Sequence, residues 1–258
     1  MTPVLHSNII GTGDKYFIIL HGFLGMGDNW KTHAKKISQK GYCVHTVDQR
    51  NHGRSFWSEA FDYDIMVEDL LLYLDHHDLK KVIVMGHSMG GKTAMGFALK
   101  YPEKVKKLII VDICPKYYAP HYHKILAGLS TLNFTDINSR KGAAEHLENY
   151  IPDIGTRQFL LKNLYWISDG QLGLRLNIAV LENAAEIIGA PIEVKVSFLK
   201  PALFLYGANS NYINPDNDIP MILDFFPKAE VTKIENAGHW LHSEQPKQFF
   251  ETLIKWLD

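Results

Sequence analysis

Cysteine is scarce in this chain of 258 residues: there are two, Cys43 and Cys114, far apart in sequence and each beside a β-like apolar run. That is the setting of a buried thiol, and it argues against a disulfide framework. Charge of one sign is missing as well. The 27 Lys and Arg against 28 Asp and Glu leave a formal net charge of -1, so no overall field attracts a polyanion or an anionic membrane. Nucleic acid and membrane are therefore not expected as partners. No apolar run approaches the roughly 18 residues that begin to suggest a membrane span. Residues 1–10 lack the basic start, apolar stretch and small-residue cleavage site of a secretory leader, so a cytoplasmic location is expected. Internal repeats and low-complexity tracts are absent too.

What the chain does have is enough apolar residue, 46%, to bury a substantial core, at a length that α/β folds often fill as one domain. Short aliphatic runs at Tyr16 to Leu20, Tyr42 to Val47, Val82 to Met85, Lys107 to Val111, Ala202 to Tyr206 and Glu230 to Ile234 read as strands, most of them buried and parallel. Between or after them, Asn29 to Lys40, Ile65 to His76, Met89 to Lys100 and Pro246 to Leu257 carry helical periodicity; in the second, Val67, Leu70, Leu71 and Leu74 share a face. Alternating strand and helix predicts an α/β fold with a doubly wound, mostly parallel sheet. Residues 115–198 break the rhythm with helical patterns and no convincing strand. They are read as an inserted helical cap on a core made of 1–114 and 199–258. Its aromatics, Tyr117, Tyr118, Tyr122, Phe134, Phe159, Tyr165 and Trp166, either line an apolar pocket over the sheet or pack the cap down.

The most informative segment is Gly86-His87-Ser88-Met89-Gly90, between a predicted strand and a predicted helix. A serine on so tight a turn needs strained backbone angles and small neighbours, which Gly86 and Gly90 supply, and its hydroxyl is then lifted above the strand ends. The helix beginning there favours a developing anion. Just after the strand Tyr16 to Leu20 stands His21-Gly22-Phe23-Leu24-Gly25. The backbone N–H groups of Phe23 and Met89 are the expected pair for holding an oxyanion, although His21-Gly22 alone would also serve as a tight strand exit.

A serine hydroxyl needs a base. Of 13 histidines, His239 in Ala237-Gly238-His239-Trp240 is best placed, between the last strand and the last helix, where loops at strand C-terminal ends meet the cleft. His242 is expected to be structural; His76, His77, His121 and His123 are expected to be solvated or to belong to the cap. The His121-x-His123 pair lacks nearby companions for a metal site, so no metal and no cofactor are expected.

The G-H-S-M-G elbow, the H-G-F loop, the Asp48-Gln49-Arg50-Asn51-His52-Gly53-Arg54-Ser55 segment and the late G-H-W together resemble the α/β-hydrolase superfamily over nearly the whole chain. The similarity is strongest to its small bacterial esterases and acyl-CoA thioesterases. What the resemblance implies is a serine hydrolase with a catalytic triad, acting on short acyl esters and acyl-CoA thioesters, with an ester or thioester as its small-molecule partner. Residues 48–55 read as a structural turn. Most members of the superfamily carry the triad acid in a G-x-x-D arrangement, but here the sequence is Gly207-Ala208-Asn209-Ser210. Asp216 and Asp218 lie a few residues on; Asp112, at the end of Lys107 to Val111, leaves the sheet on the cleft side. The resembling branch carries its acid after this same strand, in a context like Val111-Asp112-Ile113, which favours Asp112. Ser210 is then an auxiliary partner to Asp112 or His239, or a loop serine. A cofactor-free haloperoxidase or perhydrolase, a non-catalytic ligand-binding homologue and an interaction protein using the cap as its surface are the competing readings. A homodimer stays open.

Overall fold

A computed structural model describes residues 3–194 and 196–258. Seven strands form the main sheet in the order β1-β3-β2-β4-β5-β8-β9: β1 (Ser7–Ile10), β2 (Lys15–Leu20), β3 (Tyr42–Val47), β4 (Val82–His87), β5 (Val105–Val111), β8 (Ala202–Gly207) and β9 (Ala229–Ile234). All pair in parallel except β1, which runs antiparallel to β3 with Ser7 opposite Val47.

The period of two along each strand sorts side chains between two cores. From β4, Val82 and Val84 go to one face while Ile83 and Met85 go to the other; from β8, Ala202 and Phe204 part from Leu203 and Leu205 in the same way. The first face is covered by α2 (Tyr63–His76) and α3 (Met89–Lys100), which bring Val67, Leu70, Leu74, Met95 and Phe97. The second is covered by α1 (Lys31–Ser38) and α11 (Pro246–Leu257) through Ala34, Ile37, Phe249 and Leu253. Each buried Leu, Ile or Phe contributes roughly 1.5–3 kcal/mol, so helices on both faces are what take a sheet of near-continuous apolar strands out of contact with water. Helix α2 starts where Asp62 accepts a hydrogen bond from Ile65 N at 2.8 Å, a cap that satisfies one of the orphan N–H groups of its first turn.

Between β5 and β8 lie α4 (His123–Ser130), α5 (Arg140–Glu148), α6 (Ile154–Leu161), α7 (Ile178–Leu181) and α8 (Ala185–Gly189). Their apolar faces make a third cluster with Phe23, Leu24, Met66 and Met89 of the body. Contrary to the sequence expectation, this stretch is not wholly helical: β6 (Leu164–Ser168) and β7 (Gln171–Leu174) form an antiparallel hairpin closed by Asp169-Gly170. Gly170, at φ 74°, takes a left-handed conformation that glycine adopts without steric cost. Short α9 (Pro215–Phe225) and α10 (Leu241–Glu244) complete the fold. Both cysteines are buried and free. Among the described residues no helix is long and apolar enough to cross a membrane.

Candidate active site

Ser88 sits between β4 and α3 at φ 53° and ψ -118°, a conformation costly for any residue with a Cβ. Close packing of the chain on itself fixes it there. A Cβ at Gly86 would stand 2.1 Å from Gly90 O, and one at Gly90 would stand 2.5 Å from Leu20 O and His21 O. Ser88 N donates to Val111 O at 3.1 Å, while its carbonyl accepts from Gly91 N at 2.8 Å. The serine is thus held from both sides.

Asp112 directly follows β5, at φ 52°, its own N–H donating to Leu205 O, and its carboxylate is fully buried. Oδ1 accepts from Gly207 N at 3.0 Å; Oδ2 accepts from Ser210 Oγ at 2.5 Å and from His239 Nδ1 at 2.7 Å. A buried carboxylate without such partners would be strongly disfavoured, so these three donors are what let the acid lie there. Asp216 is exposed on α9, and Asp218 is engaged with Lys116 Nζ at 2.5 Å and Asn214 N at 2.7 Å; neither bonds to His239. Because a carboxylate only accepts, the bond to Asp112 puts the proton of a neutral His239 on Nδ1 and leaves Nε2 with a free lone pair.

The His239 imidazole lies on the Tyr212 ring, centroids 3.7 Å apart and 13° from parallel. Tyr212 also donates its N–H to Ser210 Oγ at 3.2 Å and exchanges hydroxyl contacts with Tyr122, 3.2 Å, and His121 Nε2, 2.8 Å. Tyr122 OH in turn faces the Ser88 side chain; burial raises its phenol, and the hydroxyls of Tyr212 and Ser88 partly offset that. No hydrogen bond joins Ser88 Oγ directly to His239 Nε2 among the described residues, but both side chains line one cavity of about 220 Å³ with Phe23, Phe159 and Trp240. Of the aromatics singled out in 115–198, Tyr122 and Phe159 line this cavity, whereas Tyr117 and Trp166 are exposed and Phe134 packs on the third cluster.

Met89 heads α3, where no helical acceptor exists for its N–H. Neither it nor the N–H of Phe23 has an acceptor within the described residues, although both residues are buried. Orphan N–H groups in buried positions are rare, and two of them bordering the serine make a ready acceptor-binding site. The 22–25 loop that carries Phe23 is pinned by the 48–55 segment. His52 Nε2 accepts from Leu24 N at 3.2 Å, His21 Nε2 accepts from Gln49 N at 2.9 Å, and the Asp48 carboxylate accepts from Gly27 N at 2.6 Å and Arg54 N at 2.8 Å. Burial lowers His21 to about 4 and His52 to about 3, so both rings stay neutral and keep an acceptor nitrogen for that loop. His242, stacked at 4.1 Å on Trp30, and His87, which donates to His239 O at 2.9 Å, are likewise held well below the ordinary histidine value by burial. His121 is exposed and reaches Tyr212; no cluster of three or more His, Cys, Asp or Glu suited to a metal ion occurs among the described residues.

The parts played here by Tyr212 and His87 are not apparent from the sequence, since nothing short of the fold brings Tyr212 onto His239.

The fold and this site have known counterparts. A model of the alpha/beta hydrolase fold family matches residues 15–127. The chain is 37% identical over 256 residues to the sn-1-specific diacylglycerol lipase ABHD11 of Danio rerio, covering 96% of this chain and 80% of that protein. It is 31% identical over 243 residues to the esterase YbfF of Escherichia coli K12, covering 93% and 92%. A solved structure described as a marine microorganism esterase superposes with a TM-score of 0.94 at 38% identity, covering 99% of this chain and all of the other. The chain belongs to the α/β-hydrolase family.

Proposed function

We propose that the protein hydrolyses carboxylic esters through an acyl-enzyme on Ser88, with His239 as base, Asp112 as the acid that orients it, and the Phe23 and Met89 N–H groups as oxyanion donors. The observation that carries this reading is the 2.7 Å contact of His239 Nδ1 with Asp112, which leaves Nε2 basic in the cavity that Ser88 lines. The names of the relatives, two esterases and a lipase, support the same class of substrate.

As substrate enters, the Ser88 hydroxyl turns from Tyr122 to His239, since catalytic hydrogen bonds often close only in the Michaelis complex. Oγ then attacks the carbonyl carbon, its proton passing to Nε2, and the carbonyl oxygen takes its charge onto the two orphan N–H groups. Asp112 stabilises the imidazolium without taking the proton. His239 protonates the leaving alcohol, and a water activated by the same ring releases the acid. All groups needed are the chain's own, so no cofactor is assigned.

Residues 115–198 act as a cap over this cavity. The cavity of about 220 Å³ that Ser88 and His239 line is walled largely by apolar and aromatic side chains such as Phe23, Leu24, Phe159 and Trp240, a lining suited to an acyl group. A thioester would use the same groups. The deciding experiment is labelling with a fluorophosphonate followed by mass spectrometry of the Ser88 peptide, beside kcat/KM for p-nitrophenyl esters from acetyl to palmitoyl and for acyl-CoA thioesters. A Ser88 peptide that stays unlabelled in folded protein overturns the reading and leaves a non-catalytic binding protein.

A further inference from the structure

Lys92 stands one helical turn beyond Ser88 on α3, and its side chain is buried with no carboxylate beside it among the described residues. Its ammonium instead donates to three backbone carbonyls at the two ends of the 115–198 segment: Lys116 O at 2.9 Å, Gly189 O at 3.1 Å, and Ala190 O. It also lies over the Tyr118 ring at 5.0 Å and the Tyr63 ring at 5.8 Å. The two ends are tied to each other as well, by Tyr118 N to Gly189 O at 2.9 Å and Ile192 N to Pro115 O at 2.8 Å. An ammonium in such a place costs desolvation that an apolar side chain would not, so it has to be accounted for by what it gathers.

What it gathers forms the wall of a slot. Ser88, Met89 and Ile113 of the body face Tyr118, Tyr122 and Ile188 of the inserted segment across a gap of about 10 Å³, at the lower limit of the roughly 10–15 Å³ that one water requires. The slot borders the nucleophile and is shut because its two walls are drawn together at Lys116 and at Gly189–Ala190.

We propose that Lys92 is a specificity-determining positioning residue: by clamping both ends of the inserted segment to the elbow helix it keeps the slot beside Ser88 closed and so limits the length of acyl chain accepted. This rests on the reading of Ser88 as the nucleophile. Burial lowers Lys92 to about 8, so the clamp weakens as pH rises through that value. Of the other groups facing it, burial raises Tyr63, Tyr118 and Cys114, and Lys116 is ion-paired with Asp218.

The test compares wild type with Lys92→Met and Lys92→Arg. In Lys92→Met the ratio of kcat/KM for the octanoyl over the acetyl p-nitrophenyl ester should rise about tenfold, with Lys92→Arg, which keeps the charge, in between. In parallel, amide hydrogen exchange in 116–122 and 186–190 should quicken in Lys92→Met while that of β4 and β5 stays as in wild type. If Lys92→Met does not fold, wild type serves alone: the same ratio, in which effects common to both esters cancel, should rise between pH 7 and pH 9.5. A ratio that stays level or falls overturns the proposal, as does unchanged exchange at both ends of the segment. Absence of fluorophosphonate labelling at Ser88 would instead remove the nucleophile, and the exchange measurement would still judge the clamp.

Discussion

The imidazole of His239 and the phenol of Tyr212 lie face to face at 3.7 Å, so the ring that bonds Asp112 on one edge is also held flat on one side. A base that must meet both a nucleophile and a leaving group loses rate when its ring is free to rotate, because small misplacements at a reacting centre are costly. Tyr212→Ala should therefore lower kcat about 10- to 100-fold, while Tyr212→Phe, which keeps the stack and loses only the contacts to Tyr122 and His121, should stay within about threefold. Steady-state kinetics on a short ester decide it. Equal losses in the two variants would assign the effect to the hydroxyl and not to the stack.

Asp112 has three donors and His239 has one acid. Asp112→Asn should lower kcat by about 10⁴, as loss of the acid that fixes the tautomer does. Ser210→Ala removes one donor and leaves Gly207 N and His239 in place, so a loss of about tenfold is expected. Asp218→Asn gives up the ion pair with Lys116 while its amide oxygen can still accept from Asn214 N, and its effect should appear in thermal stability, with turnover little changed. Asp216→Asn should be silent in both. Kinetics showing Asp218→Asn as damaging as Asp112→Asn would overturn the assignment of the acid.

The sequence made the strands of the main sheet legible because those buried on both faces are nearly continuous apolar runs, and the elbow because its glycines are required by contacts that any such turn must make. The edge strand Ser7–Ile10 was not legible: it is four residues long, polar at its start and only partly buried, so neither alternation nor an apolar run marks it. The hairpin within 115–198 did carry a signal, the Asp169-Gly170 pair. It was outweighed by helical patterns on either side, and one partner strand ends in exposed residues. At the site, Ser88, His239 and Asp112 follow from motif and position. Tyr212 and the carbonyls that hold Lys92 do not, because they depend on long-range packing between segments whose local sequences are uninformative.

Gly90→Ala pits a local gain against a contact. Alanine inside a helix is favoured over glycine by about 1 kcal/mol, but a Cβ at this position would lie 2.5 Å from two carbonyl oxygens, those of Leu20 and His21, which belong to backbone and cannot swing aside. The contact decides the sign. The variant should melt at lower temperature and lose Ser88 labelling by about 100-fold, whereas Gly155→Ala in α6, where the nearest atom is Asp153 Oδ1 at 3.4 Å, should be neutral or slightly stabilising. Equal melting temperatures for the two variants would show that the elbow has slack.

Acid should unfold this protein through its histidines. His21 and His52 are held neutral by burial at about 4 and about 3, below the ordinary 6.5 that they regain on unfolding. Between those values the unfolded chain binds more protons than the folded one, so stability is full above about pH 6.5 and falls as pH drops towards 4. At about 1.4 kcal/mol per pH unit for a fully shifted group, these two rings together remove roughly 2 kcal/mol between pH 6 and pH 5. That is a large share of the 5–15 kcal/mol typical of a folded domain, and His87 and His242 act in the same direction. The melting temperature should decline steadily over this window, while the imidazole resonances of His21 and His52 stay at neutral-ring positions down to about pH 5. If either ring titrates near 6.5 in the folded protein, its nitrogen is not reserved for the 22–25 loop, and the link between the 48–55 segment and the oxyanion donors fails.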